Sequence, residues 1–317
     1  MNVENIAINS INQNLNQSLK NIVIITGATA VGKSDLAIKI AQHYNGVIIN
    51  ADAIQIYKEI PILSAQPNIL DKEKIEHLMY GYISGHNSQR YSIINFLEDL
   101  TINVNNVIES GKLPIIVGGT AMYIKAILSG ISKIPEISIA TKNHVNQMLI
   151  ENNLEYLFNE LKKRNDPIIE YIKSNDRQRI IRFLEINIET NYSVMYFWSQ
   201  KNMKYFDDSF NLIKILHNKS REEIYNNCNI RFDMMIKNGV LEEIEKQLKT
   251  LNNNDNYDYD NDKIFTKSSG FKEIKMYLNN EILLNNAIIK AKQSTRNYAK
   301  RQLTWFRNEF FNDFINV

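Results

Sequence analysis

A single cysteine, Cys228, stands in the 317 residues. No disulfide can therefore close within the chain, and the paired thiolates of a typical zinc site are missing. A reducing, cytoplasmic setting is expected. Histidine is sparse too: His43, His77, His86, His144 and His217 never fall at a ligand spacing on one helix face, which argues against a His-built metal centre. No window approaches the roughly 20 apolar residues of a membrane-spanning helix, so no membrane partner is expected. Nor is there an excess of one charge. Lys and Arg number 37 against 35 Asp and Glu, a net charge of +2, which excludes a uniformly basic nucleic-acid coat. Residues 1–20 are polar and Asn-rich, lacking both the apolar segment of a signal peptide and the Arg-rich face of a transit peptide, and read as a disordered tail.

What is present is a globular composition, 44% hydrophobic and 23% charged. The β-branched run Asn21–Thr26 fits a strand buried on both faces, and Leu36, Ala37, Ile40 and Ala41 then recur at helical spacing. Gly46–Asn50, Leu113–Val117 and Leu212–Leu216 are further buried-type strands, each but the last followed by a turn and a helical pattern. Alternation of this kind predicts an α/β fold with a parallel sheet covered on both faces. Strand signal nearly vanishes after Pro135, and from Thr141 to Trp198 the pattern is helical, broken at Asp166-Pro167. The expected organisation is a P-loop parallel-sheet core over 21–135 and 211–317 with an inserted all-helical domain over 136–210. Asn252–Asp262, rich in Asn, Asp and Tyr, reads as a solvated loop without EF-hand spacing.

Gly27-Ala28-Thr29-Ala30-Val31-Gly32-Lys33-Ser34 matches G-x-x-x-x-G-K-[ST] between a strand and a helix, the context that gives the motif meaning. Its glycines let backbone N–H groups crowd phosphate oxygens at a positive helix end. Lys33 would add a mobile charge and the Ser34 hydroxyl a ligand for Mg²⁺. The loop specifies a polyphosphate, not ATP: the strand Leu113–Val117 runs into Gly118-Gly119-Thr120 where a nucleotide hydrolase would carry a metal-binding Asp. Asp52, after the strand Gly46–Asn50, falls at the carboxyl edge of the sheet beside the loop, where open α/β folds bind ligands. It reads either as a base or as a helix-capping Asp. Thr120 reads either as a helix cap or as a hydroxyl aimed at a leaving phosphate oxygen.

Charge, balanced overall, is unevenly spread. Ile288–Arg307 carries Lys290, Lys292, Arg296, Lys300, Arg301 and Arg307 with no acid, and interleaves Tyr298 and Trp305, a composition suited to phosphates and stacked bases. Arg179 and Arg182 share a helical face at i, i+3. Solvated helix faces would look the same.

Together these segments resemble the tRNA dimethylallyltransferase, or tRNA isopentenyltransferase, family. The resemblance runs from about Ile22 to Phe310. It rests on the phosphate loop, on Asp52-Ala-Ile-Gln55-Ile-Tyr57 with Ser64-Ala-Gln-Pro67, on Gly118-Gly-Thr-Ala-Met-Tyr123, on Asn175–Arg179 with Arg182 and Leu184-Glu185, and on Thr295–Arg307. The resemblance implies transfer of a dimethylallyl group from dimethylallyl diphosphate to N6 of adenosine 37 of tRNA, with Mg²⁺ as cofactor and the anticodon stem-loop as partner. It implies that Asp52, Thr120 and Lys33 are catalytic, and that Gly27 through Ser34 and Arg221 hold the diphosphate. The tRNA would be met by Asp52, Ala53, Ile54 and Gln55, by Gln178, Arg179, Ile180, Ile181 and Arg182, and by Lys267, Ser268, Ser269, Gly270, Phe271 and Lys272. A monomer is expected. This sequence has Gln66 where the family commonly has Lys, Asn191 in place of a Gly, and Phe271 in place of a Tyr.

Three other readings compete. A small-molecule P-loop kinase would leave the basic Ile288–Arg307 segment without a purpose. A transferase acting on free adenine nucleotides would not need the helical insertion, and a non-catalytic RNA-binding protein would not need the phosphate loop or Asp52.

Overall fold

The computed structural model describes residues 2–86, 91–252, 263–309 and 314–317. The chain begins with α1 (Val3–Asn14), β1 (Lys20–Thr26), α2 (Lys33–Tyr44) and β2 (Gly46–Asn50). There follow α3 (Ile69–Lys74), β3 (His77–Leu78), α4 (Ile93–Glu109), β4 (Leu113–Gly118) and α5 (Ala121–Ser129). Next come the helices α6 (Ile139–Glu151), α7 (Leu154–Lys163), α8 (Arg177–Thr190) and α9 (Val194–Trp198). The chain then forms β5 (Phe210–Leu216), α10 (Arg221–Lys237), α11 (Val240–Asn252), α12 (Phe271–Leu278), α13 (Leu284–Glu309) and β6 (Ile315–Asn316).

The six strands form one parallel sheet in the order β3-β2-β4-β1-β5-β6, as the alternation of strand and helix predicts. Every residue from Ile22 to Thr26 is buried, which is why β1 reads as an unbroken apolar run. Leu36, Ala37, Ile38, Ile40 and Ala41 of α2 join Val23, Ile25, Ile48, Ile115 and Ile213 in the principal core. A second core lies among α10 to α13 and the segment after β2, centred on Ile56, Phe232, Phe265 and Phe271. Since all strands run one way, their carboxyl ends share one edge. The order β2-β4-β1-β5 sets the loops after these four strands side by side there.

Residues 1–20 are not a disordered tail. Val3–Asn14 is helical, and Ala7 and Ile11 are wholly buried in the principal core. The Tyr44 hydroxyl donates to Ile8 O at 2.9 Å, and Lys39 pairs with Glu4 at 3.1 Å. Only a few apolar residues at helical spacing face the sheet, so tertiary packing, not intrinsic propensity, stabilises this Asn-rich helix.

Residues 1–128 and 205–317 form one compact unit and residues 129–204 another. The insertion thus starts earlier and ends sooner than the strand signal suggests. It is bounded by an antiparallel bridge in which Ile131 and Met203 exchange backbone hydrogen bonds of 3.0 and 2.8 Å. Gly130, at φ +72°, passes so close that a Cβ would stand 2.3 Å from Met203 O. Phe210 and Asn211 extend β5 ahead of its apolar part. Within the helical unit, the buried Asp166 accepts from Ile168 N at 3.0 Å, Ser193 Oγ at 2.6 Å and Asn187 Nδ2 at 2.9 Å. The Asp-Pro break is therefore the capped start of a 3-10 turn, Pro167–Glu170, tied to α8 and α9. Of the loop expected at Asn252–Asp262, Asn252 ends α11 and residues 253–262 lie outside the described residues.

Candidate active site

Four strand ends converge on a cavity of about 770 Å³, well within the range of small-ligand sites. From β1 come Thr29, Ala30, Gly32, Lys33 and Ser34; from β2, Asp52, Ala53, Ile54 and Gln55; from β4, Gly118 and Thr120; from beyond β5, Lys219. The helical layer adds Arg231 of α10, Lys267, Ser268 and Ser269 before α12, and Tyr298, Arg301 and Gln302 of α13.

The loop after β1 is shaped for an anion. Gly32 caps α2 at φ +103° and no side chain caps the helix, so its first N–H groups stay available to a ligand. Gly27 must be glycine, since a Cβ there would stand 2.3 Å from His217 O. Ala28 and Val31 turn inward, against Ile224, Cys228 and Ala299. These two residues of the motif hold the loop by packing, while Thr29, Ala30, Gly32, Lys33 and Ser34 face the cavity.

Lys33 Nζ donates to Gly27 O at 3.0 Å and Ala28 O at 2.9 Å. Burial lowers its pKa to about 8; the charge of Asp52 works against that shift and the charge of Arg231 adds to it. Burial likewise lowers the pKa of Arg231, whose Nη2 donates to Thr29 Oγ1 at 2.6 Å. Two desolvated cations thus face Asp52 across the cavity, and with Lys219, Lys267 and Arg301 also lining it against Asp35 and Asp52, it is left short of negative charge. Asp52 Oδ1 accepts the N–H of Ile54 at 2.9 Å, and Thr120 Oγ1 accepts that of Ala53, also at 2.9 Å. The Asp52 charge is felt by three tyrosines, Tyr80, Tyr123 and Tyr298, whose pKa values rise chiefly through burial. Their hydroxyls stay neutral donors.

Arg221 is not part of this site. It is exposed at the first turn of α10, its Nε donating to Tyr225 Oη at 2.9 Å and its guanidinium lying 5.0 Å from the Tyr225 ring. The arginine at the phosphate loop is Arg231, on the same helical stripe (Arg221, Ile224, Cys228, Arg231, Met235) but about 15 Å further along the axis. The i, i+3, i+4 spacing marks that stripe in the sequence but does not distinguish Arg231 from Arg221 on it. Gln66, where the family commonly has Lys, donates to Tyr57 O at 2.7 Å and serves the turn before α3.

Lys267, Ser268 and Ser269 reach the cavity, but Phe271 is buried in the second core and Gly270 supports α12 at φ +100°. Lys272 is exposed beside a smaller recess with Lys290. Gln178, Arg179 and Arg182 are exposed on α8, whereas Ile180 is wholly buried in the core of the helical unit and Ile181 packs against that core. Ile180 therefore orients the helix from inside the core, while Ile181 is half-buried. Of the basic residues on α13, Lys292 pairs with Asp233 at 2.6 Å and Arg296 donates to Asn229 and Gln293, while Lys290, Lys300, Arg301 and Arg307 are exposed.

Known proteins carry the same architecture. The model of a family described as IPP transferase matches residues 55–309. The tRNA dimethylallyltransferase of Wolbachia pipientis subsp. Culex pipiens (strain wPip) is 40% identical over 92% of this chain and 94% of its own. That of Orientia tsutsugamushi (strain Boryong) is 36% identical over 93% and 94%. A solved eukaryotic dimethylallyltransferase acting on tRNA is similar with a TM-score of 0.77 and 26% identity, covering 94% of this chain and 73% of that one. The tRNA isopentenylpyrophosphate transferase from Bacillus halodurans gives a TM-score of 0.64 at 26% identity, over 94% and 90%. With the phosphate loop, the Asp52 loop and the α13 motif seated around one cavity, and relatives 36–40% identical along more than nine-tenths of its length, the chain belongs to the IPP transferase family of tRNA dimethylallyltransferases.

Proposed function

We propose that the protein transfers a dimethylallyl group from dimethylallyl diphosphate to N6 of adenosine 37 of tRNA, releasing diphosphate. The observation that carries this reading is the charge layout of the cavity, in which Lys33, Arg231 and the uncapped start of α2 face Asp52. A diphosphate supplies the missing negative charge, and an amine placed between it and Asp52 has a proton acceptor behind it and an electrophile ahead.

In the transfer the N6–C1 bond forms as the C1–O bond breaks, and the bonding electron pair leaves with the diphosphate. Asp52 takes the N6 proton; with Oδ1 engaged by Ile54 N–H, Oδ2 is the oxygen open to it. Lys33, Arg231 and the loop N–H groups stabilise the charge that develops on the leaving group. The base must leave its stack to reach such an enclosed site. The donor set suits a Mg²⁺ ion arriving on the diphosphate. Among the described residues no three His, Cys, Asp or Glu side chains cluster to hold a metal, and Mg²⁺ keeps most of its coordination to phosphate oxygens and water. Ser34 would supply the protein ligand, and the bound ion would neutralise diphosphate charge.

The tRNA backbone is met, in this reading, by Lys300, Arg301 and Arg307 of α13 and by Arg179 and Arg182 of α8. The latter two are paired with Asp176 at 2.8 Å and Glu185 at 3.3 Å. Exposed pairs of this kind are worth about 0–1 kcal/mol, so a phosphate can displace the carboxylate. The reading is tested by nucleoside mass analysis of unmodified tRNA incubated with protein, Mg²⁺ and dimethylallyl diphosphate, beside a sample given ATP alone. One isopentenyl group gained on adenosine in the first sample is expected. No gain, with ATP consumed on a small acceptor, overturns the reading in favour of a kinase.

A further inference from the structure

We propose that Gln302 is a positioning residue of the transfer site, setting the spacing between the phosphate loop and the Gly118–Thr120 turn. Its Oε1 accepts the N–H of Thr29 at 2.8 Å, and its Nε2 donates to Gly119 O at 2.7 Å. The two partners lie 273 and 183 residues away in sequence, on the loops that follow β1 and β4. Gln302 is 4% exposed, so losing either bond leaves a nearly buried polar group short of a partner. The fit at Gly119 is close: a Cβ there would stand 2.7 Å from Gln302 Nε2 and 3.5 Å from Lys33 Nζ.

The amide joins groups that the reaction needs held still. Thr29 is gripped from both sides, its N–H by Gln302 and its hydroxyl by Arg231. One turn earlier on α13, Tyr298 lines the same cavity as Thr120, the neighbour of Gly119. A helix remote in sequence from both loops therefore fixes, before any charge develops, the groups around the departing diphosphate, which is what electrostatic preorganisation requires. Only a side chain with an acceptor and a donor can make this bridge: glutamate lacks the donor, and methionine keeps the shape without either bond.

This inference rests on the transferase reading, and its test separates the two. Titration calorimetry with inorganic diphosphate, steady-state kinetics and thermal melting are applied to wild type, Gln302→Met and Gln302→Glu. In Gln302→Met the expected result is about tenfold weaker diphosphate binding and a fall in kcat/KM for the prenyl donor of about 10²-fold, with KM for tRNA and the melting temperature nearly unchanged. Gln302→Glu binds diphosphate more weakly still, because its charge faces both Gly119 O and the incoming anion. If Gln302→Met does not fold, Gln302→Asn, one methylene shorter with both polar groups kept, shows the same losses in milder form. Wild-type values for diphosphate binding and turnover in the variant that folds overturn the inference, and so does a matching loss of tRNA affinity and stability, the mark of a merely structural residue. A wild-type protein that transfers no prenyl group overturns the transferase reading instead.

Discussion

Thr120 Oγ1 accepts the N–H of Ala53 at 2.9 Å, so the hydroxyl at the exit of β4 holds the backbone beside Asp52. This is a third role, beside the helix cap and the phosphate contact expected of Thr120 from the sequence. Gly118 tightens the relationship, because a Cβ on it would stand 2.1 Å from Ala51 O.

Thr120→Val removes that acceptor while keeping the side-chain shape. Transfer is expected to fall about 10²-fold, the order of loss that follows when a reacting group is displaced by about 1 Å, whereas Thr120→Ser stays within a few-fold of wild type. Single-turnover rates with saturating tRNA measure it. A loss in Thr120→Ser with Thr120→Val near wild type would mean that the methyl group, not the hydroxyl, matters here.

Arg231 and Arg221 form a matched pair of tests. Arg231→Ala removes a cation bonded to Thr29 Oγ1 and is expected to lower kcat/KM for dimethylallyl diphosphate about 10²–10³-fold. Arg221→Ala loses only an exposed contact with Tyr225 and should stay within about twofold. A strong effect at Arg221 with none at Arg231 would move the diphosphate to the start of α10.

These two arginines also show where sequence reading stops. The phosphate loop, β1 and α2 were readable because a contiguous motif and a regular apolar period specify them locally. Asp52 and Thr120 were readable because a parallel sheet puts every strand exit on one edge. Arg231 shares its stripe with Arg221, and only the packing of α10 against Ala28 and Val31 determines which turn meets the loop. Gln302 lies inside a segment whose visible signal was positive charge, and its amide acts through partners nearly two hundred residues away or more. Helix α1 was hidden by its asparagines, since the sheet face that stabilises it comes from other segments.

The lowered pKa of Lys33 gives a pH test with a definite sign. Below pH about 8 the side chain is charged and meets the diphosphate; as pH rises through that value in the free enzyme the charge is lost. The profile of kcat/KM for dimethylallyl diphosphate is therefore expected to descend above pH about 8, and Lys33→Arg to move the descent to higher pH at a lower plateau. Burial disfavours the charged form, so the same group should make the unliganded protein gain stability between pH about 8 and the ordinary lysine value of 10.5, where the unfolded chain still binds the proton. A descent that Lys33→Arg leaves in place belongs to another group.

Ser268 lines the cavity at 9% exposure, and its Oγ has no hydrogen-bond partner among the described residues. A buried hydroxyl in that state costs the free protein about 1–3 kcal/mol. A ligand that satisfies it recovers this cost on binding, so removing the hydroxyl should move stability and affinity in opposite directions. Ser268→Ala is expected to raise the melting temperature of the unliganded protein while weakening tRNA binding by roughly 2–10-fold, the worth of one hydrogen bond. Melting curves and equilibrium tRNA titrations on the same preparations check both signs. A variant that melts higher and binds tRNA as wild type does would mean that no tRNA group meets Ser268, whereas one that melts lower would mean that the hydroxyl already serves the fold.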